Sequence, residues 1–180
     1  GRGRQPILAM QPATTLDAAP QIELKLKLPA PVVTEAEVDA LCAHLEGRVA
    51  SMGLADDVRF TGNQDDVPAW FACADVAVLP SFGDEGVPQS LMQAAACGLP
   101  AVSTPIGAIP EAVRDGETGL LVAPRDVPAL ASALERLMRD DALRARMGQA
   151  AHAYAQSNFG IDRMLDGMEA VFAAVAGARR

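Results

Sequence analysis

Residues 76–104 read VAVLPSFGDEGVPQSLMQAAACGLPAVST, and this stretch predicts the centre of the fold. The apolar run from Val76 to Leu79 stops at Pro80, which is typical of a short buried strand. After an acidic loop that contains glycines, the Ala-, Leu-, Met- and Gln-rich segment 89–97 predicts a helix, followed by a glycine and a proline as stop signals. Residues 101–103 predict the next strand. A helical connection of this length predicts that the two strands are parallel.

The loop before the predicted helix favours an anion site. Open parallel sheets bind ligands at the carboxyl ends of their strands. The first N–H groups of a helix lack an intrahelical partner and lie at its positive end. The amides of Gln89, Ser90 and Leu91 are therefore candidates to face a phosphate. Gly86 has no side chain, so the backbone of the loop can come close to that phosphate. A phosphate would repel Glu85, which is therefore expected to accept hydrogen bonds from the hydroxyls of an attached neutral group, as in a sugar phosphate. An ordinary surface turn is compatible with the same spacing.

Composition limits the classes of partner. The chain has 180 residues, of which 50% are hydrophobic and 4% aromatic, so we expect a single domain whose core consists mainly of Ala, Leu and Val. The formal net charge of −8 repels nucleic acid and anionic lipid, so a phosphate site must be local. The sequence has neither an apolar run of about 20 residues nor a signal-peptide pattern, which favours a cytoplasmic protein.

The metal-binding residue types are few. Cys42, Cys73 and Cys97 are odd in number and lie in apolar helical surroundings, so we expect buried free thiols in a reducing compartment. His44 and His152 are the two histidines of the chain. Because these residues form no ligand cluster in the sequence, no metal is expected.

The N-terminal part predicts an irregular segment, an edge strand and a capped helix. Residues 1–20 are punctuated by prolines and are expected to be irregular, so the folded domain is placed at 21–180. The run from Ile22 to Leu28 alternates apolar and polar residues, which predicts a strand with one wet face near a sheet edge. Thr34 with Glu37 forms a capping-box pattern at the start of the next helix.

The middle of the chain predicts one more strand and one more helix. Residues 57–61 predict a short strand that ends in a glycine turn, and residues 65–74 predict a helix that carries Trp70 and Phe71. These aromatic residues are interpreted as core, and they become a binding platform if the structure exposes them.

The C-terminal part predicts helices around one strand. The segments are a short helix from Pro110, a buried strand over 119–122, a helix from Asp126, a helix over 140–156 and a last helix over 161–175. Arg144 and Arg146 are expected on a solvated face, and Tyr154 is a candidate anchor. The last helix has an apolar stripe that either packs on this domain or contacts a partner; it comprises Ile161, Met164, Leu165, Met168, Val171, Phe172 and Val175. Together the elements predict an α/β fold, a Rossmann-like three-layer domain with a mostly parallel sheet and helices on both faces.

From about Asp57 to the C-terminus the sequence resembles the family 4 retaining glycosyltransferases, which have the GT-B fold. Their donor-site signature is roughly Pro-Ser-x-x-Glu-Gly-Phe-Gly followed by Glu-Ala-Met-Ala-Cys-Gly-x-Pro-Val-Val. The positions that match are Pro80, Ser81, Glu85, Gly86, Ala94, Ala96, Cys97, Gly98 and Pro100, and then Gly107, Ile109, Pro110, Glu111, Asp115, Gly116, Thr118, Gly119, Leu120, Leu121 and Val122. Two departures stand out: Gln93 replaces the second glutamate, and Val87-Pro88 replaces the Phe-Gly pair.

The resemblance implies roles for particular residues. Glu85 would contact the donor sugar and serve catalysis, and position 93 would contact the ribose of the nucleotide. The residues implied to bind the donor nucleotide or its phosphates are Gly86, Val87, Gln89, Ser90, Leu91, Gln93, Thr61, Gly62, Asn63, Gly107 and Arg2. Arg2 would correspond to a basic residue that holds the diphosphate in relatives, and a frayed basic terminus is the simpler interpretation of it.

The function implied is that of the donor-binding half of a GT-B enzyme. Such a domain binds a nucleoside-diphosphate sugar without metal or other cofactor, while an N-terminal domain holds an acceptor glycan or lipid; peripheral membrane association of the full-length enzyme is compatible with this. A degraded, non-catalytic binding module is the alternative, which Gln93, Pro88 and the Pro29-Ala30-Pro31 loop favour. A GT-B epimerase would need further acid/base residues, and a phosphorylase would need a lysine for pyridoxal phosphate, yet no lysine follows Lys27.

Overall fold

The computed structural model describes residues 22–24 and 34–177. Its sheet has four parallel strands in the order β1-β2-β3-β4. The strands are β1 (Ile22–Leu24), β2 (Val76–Leu79), β3 (Ala101–Ser103) and β4 (Gly119–Leu121). The parallel sheet and the edge position of β1 are confirmed within this part of the chain. The rest of the predicted first strand, the Pro29-Ala30-Pro31 loop and Arg2 lie outside the described residues.

Helices connect the strands and complete the C-terminal part. They are α1 (Glu35–Ser51), α2 (Val67–Cys73), α3 (Gln89–Ala96), α4 (Ile109–Ala112), α5 (Val127–Arg139), α6 (Asp141–Asn158) and α7 (Ile161–Gly177). The predicted β2-α3-β3 unit is confirmed, and Gly98 ends α3 with a φ of 79°, a conformation that glycine adopts without strain. The capping box at Thr34 and Glu37 is also confirmed.

Two apolar clusters lie on opposite faces of the sheet, because alternate strand residues point to opposite sides. On one face, Ala77 and Leu79 pack with residues of α2, α3 and α4. On the other face, Val76 and Val78 pack with residues of α5 and the first half of α6. Helices therefore cover both faces, which confirms the three-layer α/β fold.

The predicted strand at 57–61 is wrong. The segment follows α1 as a turn in which the amides of Asp57 and Val58 both donate to the carbonyl oxygen of Leu54, at 3.0 Å each. Val58 and Phe60 are half-buried while Asp57 and Arg59 are exposed, so apolar and polar residues alternate here as they would in a strand with one wet face. In the described sheet β1 pairs directly with β2, so the segment finds no place beside β2.

Two predictions of burial need correction. The cysteines are unpaired but not deeply buried, since Cys73 is exposed while Cys42 and Cys97 are half-buried; partial burial raises the pKa of the Cys97 thiol. Arg144 does not lie on a solvated face. Its side chain is 22% exposed, pairs with Asp141 at 2.9 Å and donates to the carbonyl oxygen of Leu137 at 2.8 Å. The junction of α5 and α6 leaves that carbonyl in need of a donor.

The large apolar side chains of α2 and α7 behave differently. Phe71 is buried, as predicted, whereas Trp70 is half-exposed and donates its indole N–H to Gln64 Oε1 at 2.8 Å. The apolar stripe on α7 does not pack on the described part of the domain, since its side chains are 46% to 69% exposed.

Among the helices in the described ranges, none has the length and apolar character that crossing a membrane requires.

Candidate functional site

The candidate site lies at the carboxyl edge of the sheet, where the loops after β2 and β3 meet. The first of these loops, residues 80–88, connects β2 to α3, and the second, residues 104–108, connects β3 to α4. Parallel strands bring their carboxyl ends to the same edge, so residues distant in sequence become neighbours there.

The N-terminus of α3 has free amides. Pro88 occupies the N-cap with a φ of −71° and a ψ of 120°, and no side chain caps the helix. The amides of Leu91 and Met92 both donate to the carbonyl oxygen of Pro88 at 3.1 Å. Among the described residues, no acceptor pairs with the amides of Gln89 and Ser90. The prediction of three free amides is therefore wrong for Leu91, because the first turn is closed onto the N-cap carbonyl.

Glu85 lies in the same loop and is half-buried. Ser81 Oγ donates to Glu85 Oε2 at 3.0 Å. The amide of Ala108 donates to the carbonyl oxygen of Glu85 at 3.0 Å. Gly86 and Val87, which follow it, are exposed. Both the side chain and the backbone of Glu85 are thus hydrogen-bonded, and the residue precedes the free amides of α3 by only a few positions.

Gly107 packs against the backbone of Glu85. Its φ is 54°, and a Cβ at this position would lie 2.9 Å from the carbonyl carbon of Glu85 and would overlap its carbonyl oxygen. Only glycine fits this approach. Gly107 was predicted to lie near the donor phosphates; the structure adds that it brings the two loops into contact.

Sequence reasoning missed two hydroxyl groups at the end of β3. Ser103 and Thr104 are fully buried. Ser103 Oγ donates to the carbonyl oxygen of Leu79 at 2.6 Å, and Thr104 Oγ1 donates to that of Ser81 at 2.5 Å. The only signal in the sequence was a pair of hydroxyl residues at the end of a buried strand. Such a pair does not indicate a role unless the carbonyl groups that accept from it are known.

Gln93 lies on the exposed face of α3. It follows Gln89 by four residues and Ser90 by three, so helical geometry places all three on the same side of α3. Gln93, which stands where the family has its second glutamate, therefore lies on the same side of α3 as the two residues whose amides are free.

The predicted nucleotide contacts at 61–63 are not brought into hydrogen-bond contact with the loop at 80–88. Gly62 has a φ of 63°, and Gly62 and Asn63 are exposed. Gln64, which the sequence reasoning did not single out, joins this turn to α2: its Nε2 donates to the carbonyl oxygen of Thr61, while its Oε1 accepts from the indole of Trp70.

A cation–π pair lies at the same edge and was also missed. The guanidinium of Arg125 stands over the ring of Phe82, with Cζ 4.9 Å from the ring centroid. Phe82 follows Ser81 directly and is 66% exposed. Arg125 has a φ of 63°, which is uncommon for a residue with a side chain. The pair joins the loop after β2 to the loop after β4.

The arrangement combines free amides at a helix N-terminus with a hydrogen-bonded carboxylate in the loop that leads into the helix. Free amides at a helix N-terminus favour a phosphate or diphosphate, and the Glu85 carboxylate can accept from the hydroxyls of a group attached to it. In the described part of the chain, no three His, Cys, Asp or Glu side chains come together as a group that could hold a metal ion.

Several known proteins with similar sequences are named as glycosyltransferases. Residues 12–140 match the family described as glycosyl transferases group 1. A D-inositol 3-phosphate glycosyltransferase of Streptomyces avermitilis is 36% identical over 178 residues, which cover 97% of this chain and 38% of that protein. The D-inositol 3-phosphate glycosyltransferase of Salinispora arenicola is 38% identical over 137 residues, which cover 75% of this chain and 30% of the relative. The chain thus spans about a third of the length of these relatives.

Solved structures of glycosyltransferases share the fold. Sucrose-phosphate synthase from Thermosynechococcus elongatus is 30% identical with a TM-score of 0.70, over 77% of this chain and 35% of the other. HepE from Anabaena, in complex with UDP, is 24% identical with a TM-score of 0.73, over 78% of this chain and 38% of the other. These likenesses confirm the Rossmann-like α/β fold. Because the family match extends over residues 12–140, the chain belongs to the glycosyl transferases group 1 family.

Proposed function

We propose that this chain is the C-terminal, donor-binding domain of a family 4 retaining glycosyltransferase. It binds a nucleoside-diphosphate sugar, and the hexosyl group passes to an acceptor hydroxyl of a glycan, lipid or other molecule held by an N-terminal domain. The observation that carries the proposal is the uncapped N-terminus of α3, whose amides at Gln89 and Ser90 are free and follow the half-buried Glu85 within the same loop.

The relatives support a nucleotide-sugar donor. The curated relatives with the matches above are named as glycosyltransferases, and the Anabaena protein HepE has been solved with UDP and with UDP-glucose. Three unpaired cysteines fit a cytoplasmic protein, where thiols stay reduced.

Different residues bind different parts of the donor. The amides of Gln89 and Ser90, with those of Gly86 and Val87 in the preceding loop, face the diphosphate. Glu85 accepts hydrogen bonds from the hydroxyls of the sugar. A separate group of residues holds the nucleoside: Gln93 at the ribose, and Thr61, Gly62 and Asn63 near the base. Arg2, which lies outside the described residues, would be a further cation for the diphosphate.

The amides would also serve the reaction. In retaining transfer the bond between the sugar and the diphosphate breaks, and the leaving diphosphate gathers negative charge in the transition state. Amides fixed in place before the reaction stabilise that charge more than they stabilise the ground state. The acceptor hydroxyl attacks from the same face. This use of backbone dipoles needs no metal ion.

Two substitutions relative to the family pattern weaken the site without removing it. Gln93 is neutral, so it accepts hydrogen bonds from ribose hydroxyls less strongly than a carboxylate does. Pro88 has no N–H and so removes one amide from the loop. We therefore expect donor affinity to be reduced. The same two residues favour the second candidate function, a GT-B-derived module that binds the donor but does not catalyse transfer.

A comparison of two acidic residues tests the assignment of Glu85. Glu85→Ala is expected to weaken binding of UDP-glucose, GDP-mannose or ADP-glucose by about tenfold or more, while binding of the bare nucleoside diphosphate changes little, because a hydrogen bond to a charged group is lost only where the sugar is present. Calorimetric titration measures both affinities.

Asp84→Ala is the matched control, because it removes the same charge from the neighbouring, exposed position. It is expected to leave the preference for the intact nucleotide sugar unchanged. Equal losses for nucleotide and nucleotide sugar in Glu85→Ala would remove Glu85 from the vicinity of the sugar.

A further inference from the structure

We propose that Ser81, Thr104 and Gly107 are positioning residues that fix the Glu85 carboxylate for the donor sugar. The proposal rests on the proposed function and goes beyond it, because it makes the sugar contact depend on the loop after β3. The juxtaposition that carries it is the packing of residues 104–108 against the backbone of Glu85.

The side chain of Glu85 accepts a hydrogen bond from a hydroxyl in its own loop. Ser81 Oγ donates to Glu85 Oε2 at 3.0 Å across the β2–α3 loop. A carboxylate that accepts from a fixed hydroxyl has a preferred orientation, and its second oxygen is then directed as well. Ser81 can do this only if its own backbone is fixed, and its amide donates to the carbonyl oxygen of Leu79 at 3.0 Å in a tight turn.

The backbone of Ser81 is held by a hydroxyl from the loop after β3. In the sheet, Leu79 and Ser103 form the last pair of the β2–β3 ladder. Beyond it, the hydroxyl of Ser103 donates to Leu79 and the hydroxyl of Thr104 donates to Ser81, so side chains continue the pairing of the two segments past the strand ends. Both hydroxyls are fully buried, so a water molecule cannot readily replace them.

The backbone of Glu85 is also held by the loop after β3. Ala108 donates its amide to the Glu85 carbonyl oxygen at 3.0 Å, and Gly107 leaves the room for this approach. A side chain at position 107 would overlap that carbonyl oxygen. Glu85 is therefore contacted at its carboxylate by Ser81 and at its peptide by Ala108. Ser81 in turn is held by Thr104, so both supports lead to the loop after β3.

The test compares variants that remove one support at a time, in the full chain. For the hydroxyls, these are Ser81→Ala and Thr104→Val, with Thr104→Ser as the rescue that restores the hydroxyl. For the contact between Gly107 and the backbone of Glu85, the variant is Gly107→Ala. Its matched control is Gly116→Ala, because Gly116 also has a positive φ, 74°, but open space around its Cβ position. The control has the same backbone strain without the collision.

The binding measurement is the ratio of the affinity for UDP-glucose, GDP-mannose or ADP-glucose to the affinity for the corresponding bare diphosphate. We expect this ratio to fall about tenfold in Ser81→Ala, Thr104→Val and Gly107→Ala, because each loosens one hydrogen-bonded support of the carboxylate. Thr104→Ser and Gly116→Ala are expected to keep the wild-type ratio. A loss of stability alone would lower both affinities together and leave the ratio unchanged, which would overturn the proposal.

A second measurement needs no ligand. NMR three-bond couplings report the rotamer of the Glu85 side chain, and hydrogen exchange reports the Ala108 amide. We expect a single rotamer in the wild-type chain and averaging in Ser81→Ala, and faster Ala108 exchange in Gly107→Ala than in Gly116→Ala. If the wild-type chain bound no nucleotide sugar, the proposed function would fail. Unchanged rotamers and exchange in these variants would instead refute the positioning role by itself.

Discussion

At the scale of single residues, the candidate site depends on atoms that have no functional signature of their own. Glu85 is recognisable from its place in a motif, but its contacts are not: the Ser81 hydroxyl donates to its carboxylate, while the Ala108 amide and the bare Cα of Gly107 contact its backbone. A motif gives the residue types of a loop. It does not give the second loop that packs against the first, because that contact depends on the register of β3 with β2.

Another carboxyl group gives a prediction about pH. Glu37 accepts from the backbone N–H of Thr34 at 2.8 Å and from its hydroxyl at 2.7 Å, and these two bonds, the backbone one first, lower the pKa of Glu37 below its ordinary value of 4.5. Because the folded pKa is the lower one, the stabilisation is present above the ordinary pKa and is lost as pH falls through the folded pKa.

Glu37→Gln isolates this effect, because glutamine can still accept from Thr34 but does not titrate. Urea unfolding at several pH values between about 6 and 3 is expected to give a free-energy difference between wild type and Glu37→Gln that shrinks as the pH falls. A difference that stays constant over that range would contradict the assigned hydrogen bonds.

At the scale of elements, the contact between α3 and α6 is set by two glycines. A Cβ on Gly148 would lie 3.3 Å from the carbonyl carbon of Gly98 and 3.4 Å from Cδ of Pro100, and it would overlap the carbonyl oxygen of Gly98. This approach holds the C-terminal end of α3 against α6, while the N-terminal end of α3 carries the free amides. The orientation of the candidate site therefore depends on packing at the far end of the same helix.

A matched pair of helix glycines tests this contact. Gly148→Ala is expected to destabilise the chain by about 1–3 kcal/mol through overpacking, despite the better helix propensity of alanine. Gly167→Ala in α7 meets nothing within 4 Å and is expected to stabilise the chain by roughly 0.5–1 kcal/mol. Urea unfolding of both variants measures these changes. Shifts of the same sign and size would show that α6 does not approach α3 this closely.

Elements were predictable from sequence where one local pattern decided them. The strand, helix and strand over residues 76–103 were predicted within a residue of their bounds, because apolar runs, helix formers and stop signals agree there. The segment 57–61 was predicted wrongly, because a turn after α1 uses its amides locally while its alternating burial imitates a strand. Arg144 was misread for a related reason: its carbonyl partners come from the end of the preceding helix.

At the scale of the whole molecule, the fold class was predictable but the surfaces were not. Order and type of the elements are enough to indicate a three-layer α/β fold. The net charge of −8 repels anions from the surface as a whole, so an anion must be attracted locally. The helix N-terminus can supply that local attraction. Periodicity placed seven apolar residues on one stripe of α7, yet it could not tell that the described domain leaves them exposed.

The central claim is that the free amides at the start of α3 bind the donor diphosphate. Gln89→Pro removes the first of these amides, and proline is tolerated there because position 89 is the first helical residue and the ψ of 120° at Pro88 suits a following proline. Gln89→Ala is the control, since it removes the side chain but keeps the amide.

Calorimetric titration of wild type and both variants with UDP, GDP and ADP and with their sugar derivatives measures the claim directly. We expect saturable binding to the wild-type chain, a loss of about tenfold in Gln89→Pro for nucleotide and nucleotide sugar alike, and little change in Gln89→Ala. No heat with any ligand for the wild-type chain, or unchanged affinity in Gln89→Pro, would contradict the claim.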